Sequence, residues 1–403
     1  MYLFNSNILT KISVFSGMFL VAMFVTPQDL GQIRTGLAYV EILSVVSLLG
    51  MNTSILYHCN SKVDKVQLRG YLTTSLVISL LFSMLILLSL GAFFYSEIQE
   101  ANEYFLYFLL SLPTLVLAGV SLAFLQATQK FKEFFYSTVP PKLIATFILV
   151  VCTYFFSKLG YVYGYLIGSI ITGVYPCYYL GQYIRFNFIS IDKLTNLLKV
   201  GKYSMISNLI GALGVYLGLI ILSGSSASKF DVGQISFALI ILVGFDTITA
   251  TVQQHAIPKL NLVKLNRDEW YSTLISIEKK FVKYAWLLGF LTSFLSLLVY
   301  NVFDGFKYSS ALLYFSALSV IWPIASGYTV KGAALISVGR TNLNFKFSLF
   351  SFIFMVPLTY LLVNEYEIIG LISSRFFISL YSRVVMTKIF NSYIRDVDAA
   401  QNR

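Results

Sequence analysis

A chain of 403 residues that is 57% hydrophobic, 16% aromatic and only 12% charged, with a mean hydropathy of +0.76, is no ordinary soluble domain, because such domains are usually about one quarter charged. It reads as an integral membrane protein with room for about 12 to 13 spans and no large extramembrane domain, which removes most soluble enzymology. The formal net charge of +11 follows membrane topology, as shown below, so no nucleic-acid partner is expected.

In chain order the apolar runs are Ile8–Val25, Ile33–Leu56, Tyr71–Tyr95, Tyr104–Gln126, Pro141–Phe156, Tyr161–Tyr183, Val200–Ser223, Val232–Ile257, Phe281–Tyr300, Ala311–Val338, Phe345–Val363 and Ile368–Phe390. They predict an all-α integral membrane protein of twelve transmembrane helices. The first run is read as a span and not as a cleaved signal. Its one nearby cation is Lys11, and it leads into Thr26-Pro27-Gln28-Asp29 without the small residues of a cleavage site. The longest connection, Pro258–Lys280, is too short for a folded domain.

Alternate connections divide the cations unevenly. One set holds 22 of the 29 Lys and Arg, Lys142 among them, and the other holds only Arg34, Lys158, Lys229 and Lys307, with the acids Glu97, Glu100 and Glu103 among its neighbours. Cations are sorted to the cytoplasmic side, so both termini are expected there. Cys59, Cys152 and Cys177 share no close spacing, and His58 and His255 lie far apart. No metal site, cofactor or disulfide framework is expected.

The chain repeats itself. Asp29-Leu30-Gly31-Gln32-Ile33 precedes the second span, and Asp231-Val232-Gly233-Gln234-Ile235 precedes the eighth. Pro113 stands 16 residues before Gln129, Pro323 stands 16 before Gly339, and Gly164 finds a counterpart in Gly370. Three matches in one order predict two pseudo-symmetric six-helix lobes around a central cavity, residues 1–198 and 199–403, related by an axis along the membrane normal. Rocking such lobes gives alternating access. Pro113 and Pro323 are candidate gate kinks, since proline removes a backbone hydrogen bond, although ordinary helix curvature gives the same pattern.

Charges in mid-span cost about 2.5 to 3.5 kcal/mol each on the insertion scale and need a partner or a wet cavity. Glu41 in the second span, Asp246 in the eighth and Arg375 in the twelfth are such charges. One reading gives Arg375 an anionic substrate group and makes Glu41 and Asp246 ion-coupling sites for a proton or sodium. The other makes them interhelical ion pairs. Arg34, Lys331, Asn208, Gln253 and Gln254 complete the candidate substrate-binding set. Arg34 also suits an exposed interface, and Lys331 can snorkel to the headgroups. The tyrosines at both ends of the sixth span, from Tyr161, Tyr163 and Tyr165 to Tyr178 and Tyr183, suit headgroup belts or stacking on sugar rings. No Walker lysine motif, G-x-S-x-G or paired loop carboxylates appear, so no catalytic residues are assigned.

The opening span, Thr26-Pro27-Gln28-Asp29-Leu30-Gly31-Gln32, and the helix ending Leu49-Gly50-Met51-Asn52 resemble the start of bacterial polysaccharide flippases of the O-antigen, Wzx-like type. These share a superfamily with multidrug and toxic compound exporters. The likeness continues through Gly339-Arg340 and the glycine opening the twelfth span. It implies a transporter and not an enzyme, in the bacterial inner membrane. The cargo would be an undecaprenyl-diphosphate-linked oligosaccharide repeat unit, moved to the outer leaflet for lipopolysaccharide biosynthesis. Membrane lipids, a proton or sodium ion, a polysaccharide polymerase and a chain-length regulator would be its partners. A drug exporter of the same superfamily is the alternative. A membrane polysaccharide polymerase is the other, and the short outer connections argue against it.

Overall fold

The computed structural model describes residues 2–59, 64–93, 104–181, 183–184, 189–263, 266–302 and 306–401. Glu97, Glu100 and Glu103 lie outside the described residues, as does the side chain of Gln254. The helices are α1 (Tyr2–Phe24), α2 (Pro27–Ser47), α3 (Met51–His58), α4 (Lys65–Phe93), α5 (Phe105–Leu109), α6 (Leu112–Ala127) and α7 (Phe131–Leu180), then α8 (Ile191–Gly224), α9 (Lys229–Val263), α10 (Arg267–Val302), α11 (Ser309–Ser337) and α12 (Thr341–Gln401). Among the described residues eight helices are long and apolar enough to cross a membrane, or nine when α2 and α3, bent by 42° at Leu49-Gly50, are taken as one broken span.

Two of these helices are hairpins. A straight helix of 61 residues would be about 90 Å long, three times the hydrocarbon thickness. The chain avoids this by turning at Ser157 (φ 49°, ψ −128°) inside α7 and at Glu367 (φ 49°, ψ −121°) inside α12. Past each turn a glycine lets the arms close: a Cβ on Gly160 would meet the carbonyl of Cys152, and one on Gly370 would meet that of Leu362. Gly370 therefore corresponds to Gly160. The sequence pairing with Gly164 is off by one helical turn; Gly164 instead packs against Leu149 farther down the same hairpin.

The chain divides into two compact units, residues 1–216 and 217–403, with the division inside α8. In the first, α1 packs along α7, and α6 packs on α3, α4 and α7. Met51, Ile55, Leu72, Val120, Phe124 and Leu180 form a buried core there. The early turns of α8 are tied to α3 by Ser54 Oγ donating to Leu197 O at 2.7 Å and Ser204 Oγ donating to Thr53 Oγ1 at 2.6 Å. In the second unit α11 is central, packed by α9, α10 and α12.

The repeat is written into the caps. Thr26 Oγ1 accepts from Asp29 N and donates to the Asp29 carboxylate, and Ser228 does the same with Asp231. The helix-end turns match as well: Gln129 (φ 58°) and Gly339 (φ 75°) are left-handed, followed by Lys130 N donating to Leu125 O and Arg340 N donating to Leu335 O, both at 2.9 Å. These six-residue closures satisfy the last carbonyls of α6 and α11.

The two prolines are not in like settings. Pro113 sits in the first turn of α6, after a break at Leu110-Ser111, where its missing N–H would have no partner in any case. Pro323 lies inside α11 and has no N–H to donate to the Ser319 carbonyl one turn back. Gly289 of α10 packs there, so that a Cβ would stand 2.6 Å from Ser319 O, and Ser319 Oγ donates to Gly289 O at 3.2 Å. The second proline thus serves a close helix contact.

Candidate functional site

Within the first unit, α2 carries Arg34 and Glu41 seven residues apart, two turns along one face. Glu41 lies 14 residues past the start of α2, about 21 Å along it. Lys142 on the first arm of α7 lies 15 residues before the Ser157 turn, about 22 Å from it. The two reach comparable depth from opposite directions, and Glu41 interacts electrostatically with Lys142 first and with Arg34 second. Glu41 is partly buried.

Three tyrosines complete this cluster. Tyr161 and Tyr165, on the second arm of α7, stack with centroids 6.4 Å apart, and Phe108 meets both edge-on. Both interact electrostatically with the Glu41 charge, as does Tyr216 of α8, and Arg34 acts in the same way on Tyr161 and Tyr216. Tyr161 hydroxyl donates to Met18 Sδ at 3.5 Å. Arg34 Nε is buried and, among the described residues, has no hydrogen-bond acceptor. Tyr163 and Tyr178, on other faces, are exposed and suit the headgroup level.

Lys142 was missed as a site residue. Reading Pro140-Pro141 as a helix start left it at the mouth of a 16-residue span, among the loop cations. The helix instead begins at Phe131 and runs through both prolines, which membrane helices tolerate when neighbouring groups satisfy the freed carbonyls. The apolar run Phe134, Phe135, Tyr136 and Val139 upstream was the available signal.

Within the second unit, Asp246 of α9 and Arg375 of α12 act on one another electrostatically, and Asp246 also acts on Tyr328 of α11. Arg375 stands eight residues past the Glu367 turn, and Tyr165 stands eight past the Ser157 turn. In each unit the same hairpin position thus carries a group that interacts electrostatically with a carboxylate of that unit, Glu41 in one and Asp246 in the other.

The remaining candidates have local partners. Lys331 Nζ pairs with Glu278 Oε1 at 3.0 Å and donates to Thr387 Oγ1 at 3.3 Å. Gln253 donates to Thr329 O at 3.4 Å, and Asn208 donates to Ser204 Oγ at 3.4 Å. His255 is exposed.

Residues 1–261 match the polysaccharide biosynthesis protein family. No curated relative matches the sequence. In fold the chain is similar to an inward-facing multidrug resistance MATE family transporter of the MOP superfamily (TM-score 0.76, 16% identity, covering 99% of this chain and 96% of that one). It is similar also to the lipid II flippase MurJ in an inward closed conformation (TM-score 0.74, 14% identity, 96% and 88%) and to a point mutant of the Vibrio cholerae MATE transporter VcmN (TM-score 0.62, 16%, 97% and 95%). At these identities the likeness establishes the fold alone, one shared with these transporters and this flippase. With nearly two thirds of its length matched by the family, the chain belongs to the polysaccharide biosynthesis proteins.

Proposed function

We propose that the protein is a flippase, not an enzyme, that carries an undecaprenyl-diphosphate-linked oligosaccharide repeat unit from the cytoplasmic to the outer leaflet by alternating access, driven by a proton or sodium gradient. In this reading twelve spans form two six-helix lobes, residues 1–198 and 199–403, with both termini cytoplasmic in a bacterial inner membrane. The delivered unit would pass to a polysaccharide polymerase and its chain-length regulator.

The observation that carries the reading is the charge balance of the first-lobe cluster. Arg34 and Lys142 both act electrostatically on a single carboxylate, Glu41, and Arg34 Nε is a buried donor without an acceptor among the described residues. A surplus cation suits a diphosphate, because guanidinium and ammonium groups hold phosphate oxygens, and the partly exposed Tyr165 offers an aromatic ring on which a sugar can pack. A site for cationic drugs would need the opposite balance. Arg375 would provide a second anion contact in the other lobe, while Glu41 and Asp246 would hold the coupling ion. The other proposed substrate contacts, Lys331, Asn208, Gln253 and Gln254, are secondary.

Reconstitution into liposomes with a fluorescent undecaprenyl-diphosphate oligosaccharide tests this. Wild-type protein should translocate the lipid, Lys142→Ala and Arg375→Ala should slow it at least tenfold, and an imposed pH or sodium gradient should change the rate. Extrusion of a cationic dye without lipid translocation would replace this reading with that of a drug exporter.

A further inference from the structure

Away from these clusters, α12 encloses a cleft of about 400 Å³ between its two arms at the end remote from the Glu367 turn. Arg340, Lys346, Asp396 and Tyr393 line its polar part, and Phe350 and Ile389 line its apolar part. At 1.5 Å per residue, Phe350 and Ile389 lie about 25 and 33 Å from the turn. Lys346, Tyr393, Arg340 and Asp396 lie about 31 to 43 Å from it. The hydrocarbon core of a bilayer is about 30 Å thick, so if the turn marks the outer surface, the apolar wall ends where headgroups begin.

The cleft is built on a fixed frame. Arg340 N is bonded to Leu335 O at 2.9 Å, and Asn344 Nδ2 donates to Gly332 O at 3.1 Å, which together hold the start of α12 against α11. Two cations and one carboxylate leave a surplus of one positive charge, which matches a phosphodiester and falls short of a diphosphate. The Tyr393 hydroxyl adds a neutral polar group for glycerol oxygens, and the apolar wall accepts the first methylenes of an acyl chain.

We propose that this cleft binds an anionic glycerophospholipid of the inner leaflet, of the phosphatidylglycerol class, with the phosphate on Arg340 and Lys346. Basic pockets at the cytoplasmic ends of membrane helices recognise such headgroups on this electrostatic basis. The site is independent of the transported cargo.

The test uses the full chain, purified in neutral detergent and stripped of lipid. Dioleoyl phosphatidylglycerol and dioleoyl phosphatidylethanolamine are titrated in parallel, with bound lipid counted by native mass spectrometry. One phosphatidylglycerol should be retained saturably, with a preference of about fivefold for each cation that contacts it. Arg340→Gln with Lys346→Gln should abolish the preference, Arg340→Lys with Lys346→Arg should keep it, and Asp396→Asn should strengthen it. Equal retention of the two lipids by wild-type protein overturns the proposal without any variant. Preference surviving in the double glutamine variant overturns it too, as does displacement of phosphatidylglycerol from this cleft by equimolar undecaprenyl diphosphate, which would make the cleft a loading site for cargo.

Discussion

Ser157 and Glu367, 210 positions apart, hold the same left-handed turn, with φ of 49° in both and ψ of −128° and −121°. Neither is glycine, and side chains at such angles carry strain of about 1 to 3 kcal/mol. Glycine adopts positive φ without that cost. Ser157→Gly should therefore raise the unfolding temperature, by an amount set by about 1 kcal/mol or less once the greater freedom of the unfolded glycine is counted. Glu367→Gly should gain less, because the Glu367 carboxylate accepts a 2.7 Å hydrogen bond from Ser226. Thermal unfolding in detergent with a tryptophan or scattering readout measures both, and a lower unfolding temperature for Ser157→Gly would mean that the turn is unstrained.

The glycine three residues past each turn makes the opposite prediction. Added methyls at Gly160 and Gly370 run into the carbonyls of Cys152 and Leu362, which are backbone atoms that cannot rotate away. Gly160→Ala and Gly370→Ala should each cost about 1 to 3 kcal/mol and reduce the yield of monodisperse protein. Gly91→Ala, where a Cβ meets nothing, is the matched control. Equal behaviour of all three variants would contradict the packing of the hairpin arms.

Much of this architecture was legible in the chain. The Asp-x-Gly-Gln repeat was legible as a repeat, and it falls on the two cap boxes because a cap is a local device whose residues are fixed by the geometry of one turn. The hairpin register was not legible: Gly160, Gly164 and Gly168 recur at every helical turn, so pattern alone cannot choose among them. Lys142 was hidden for a different reason. Prolines that end a helix in water are carried inside one in lipid, so a rule learned from soluble proteins placed the charge at the wrong depth. Arg375 and Asp246 were found because mid-span charge is rare enough to stand out, but that they answer one another within one lobe needed coordinates.

The Glu41 and Lys142 pair should show coupling. Neutralising either partner, by Glu41→Gln or Lys142→Met, leaves the other charge enclosed without its main counter-charge, at a cost of about 1 to 3 kcal/mol. The double variant removes both charges and should be more stable than the sum of the two losses allows. A thermal-unfolding cycle on the four proteins reads the coupling, and additive losses would show that the two groups do not interact. Transport separates structure from function: a purely structural pair would let the double variant translocate lipid, whereas the proposed roles require both the Lys142 contact to the diphosphate and the Glu41 carboxylate that holds the coupling ion.

Cys59 closes α3 and is buried in the core beside Met51, Leu72 and Phe124. Burial disfavours the thiolate and pushes its pKa up to about 12. The thiolate is the reactive form, so native protein should resist maleimide at Cys59 across pH 7 to 10, and raising the pH within that range should not open it. Cys152 and Cys177 are partly accessible and serve as internal comparison. Peptide mapping after timed labelling gives the result. Rapid modification of Cys59 at pH 8 would show that this core opens on the labelling timescale.

Lys331 separates two roles that sequence left open. Its ammonium lies 3.0 Å from the Glu278 carboxylate, with both side chains mostly sheltered, and it also reaches Thr387. It thereby joins α10, α11 and α12 across the second unit. A cation so engaged contributes chiefly through its partner, and removal of one member of a sheltered pair is penalised more than removal of both. Lys331→Met should destabilise the protein, and Lys331→Met with Glu278→Leu should recover most of the loss while leaving the rate of lipid translocation within about twofold of wild type once the amount of folded protein is equalised. If the double variant is stable yet loses translocation by tenfold or more, the ammonium meets the cargo and the ion pair is its resting state, which would raise Lys331 from a secondary to a principal cargo contact alongside Arg34, Lys142 and Arg375.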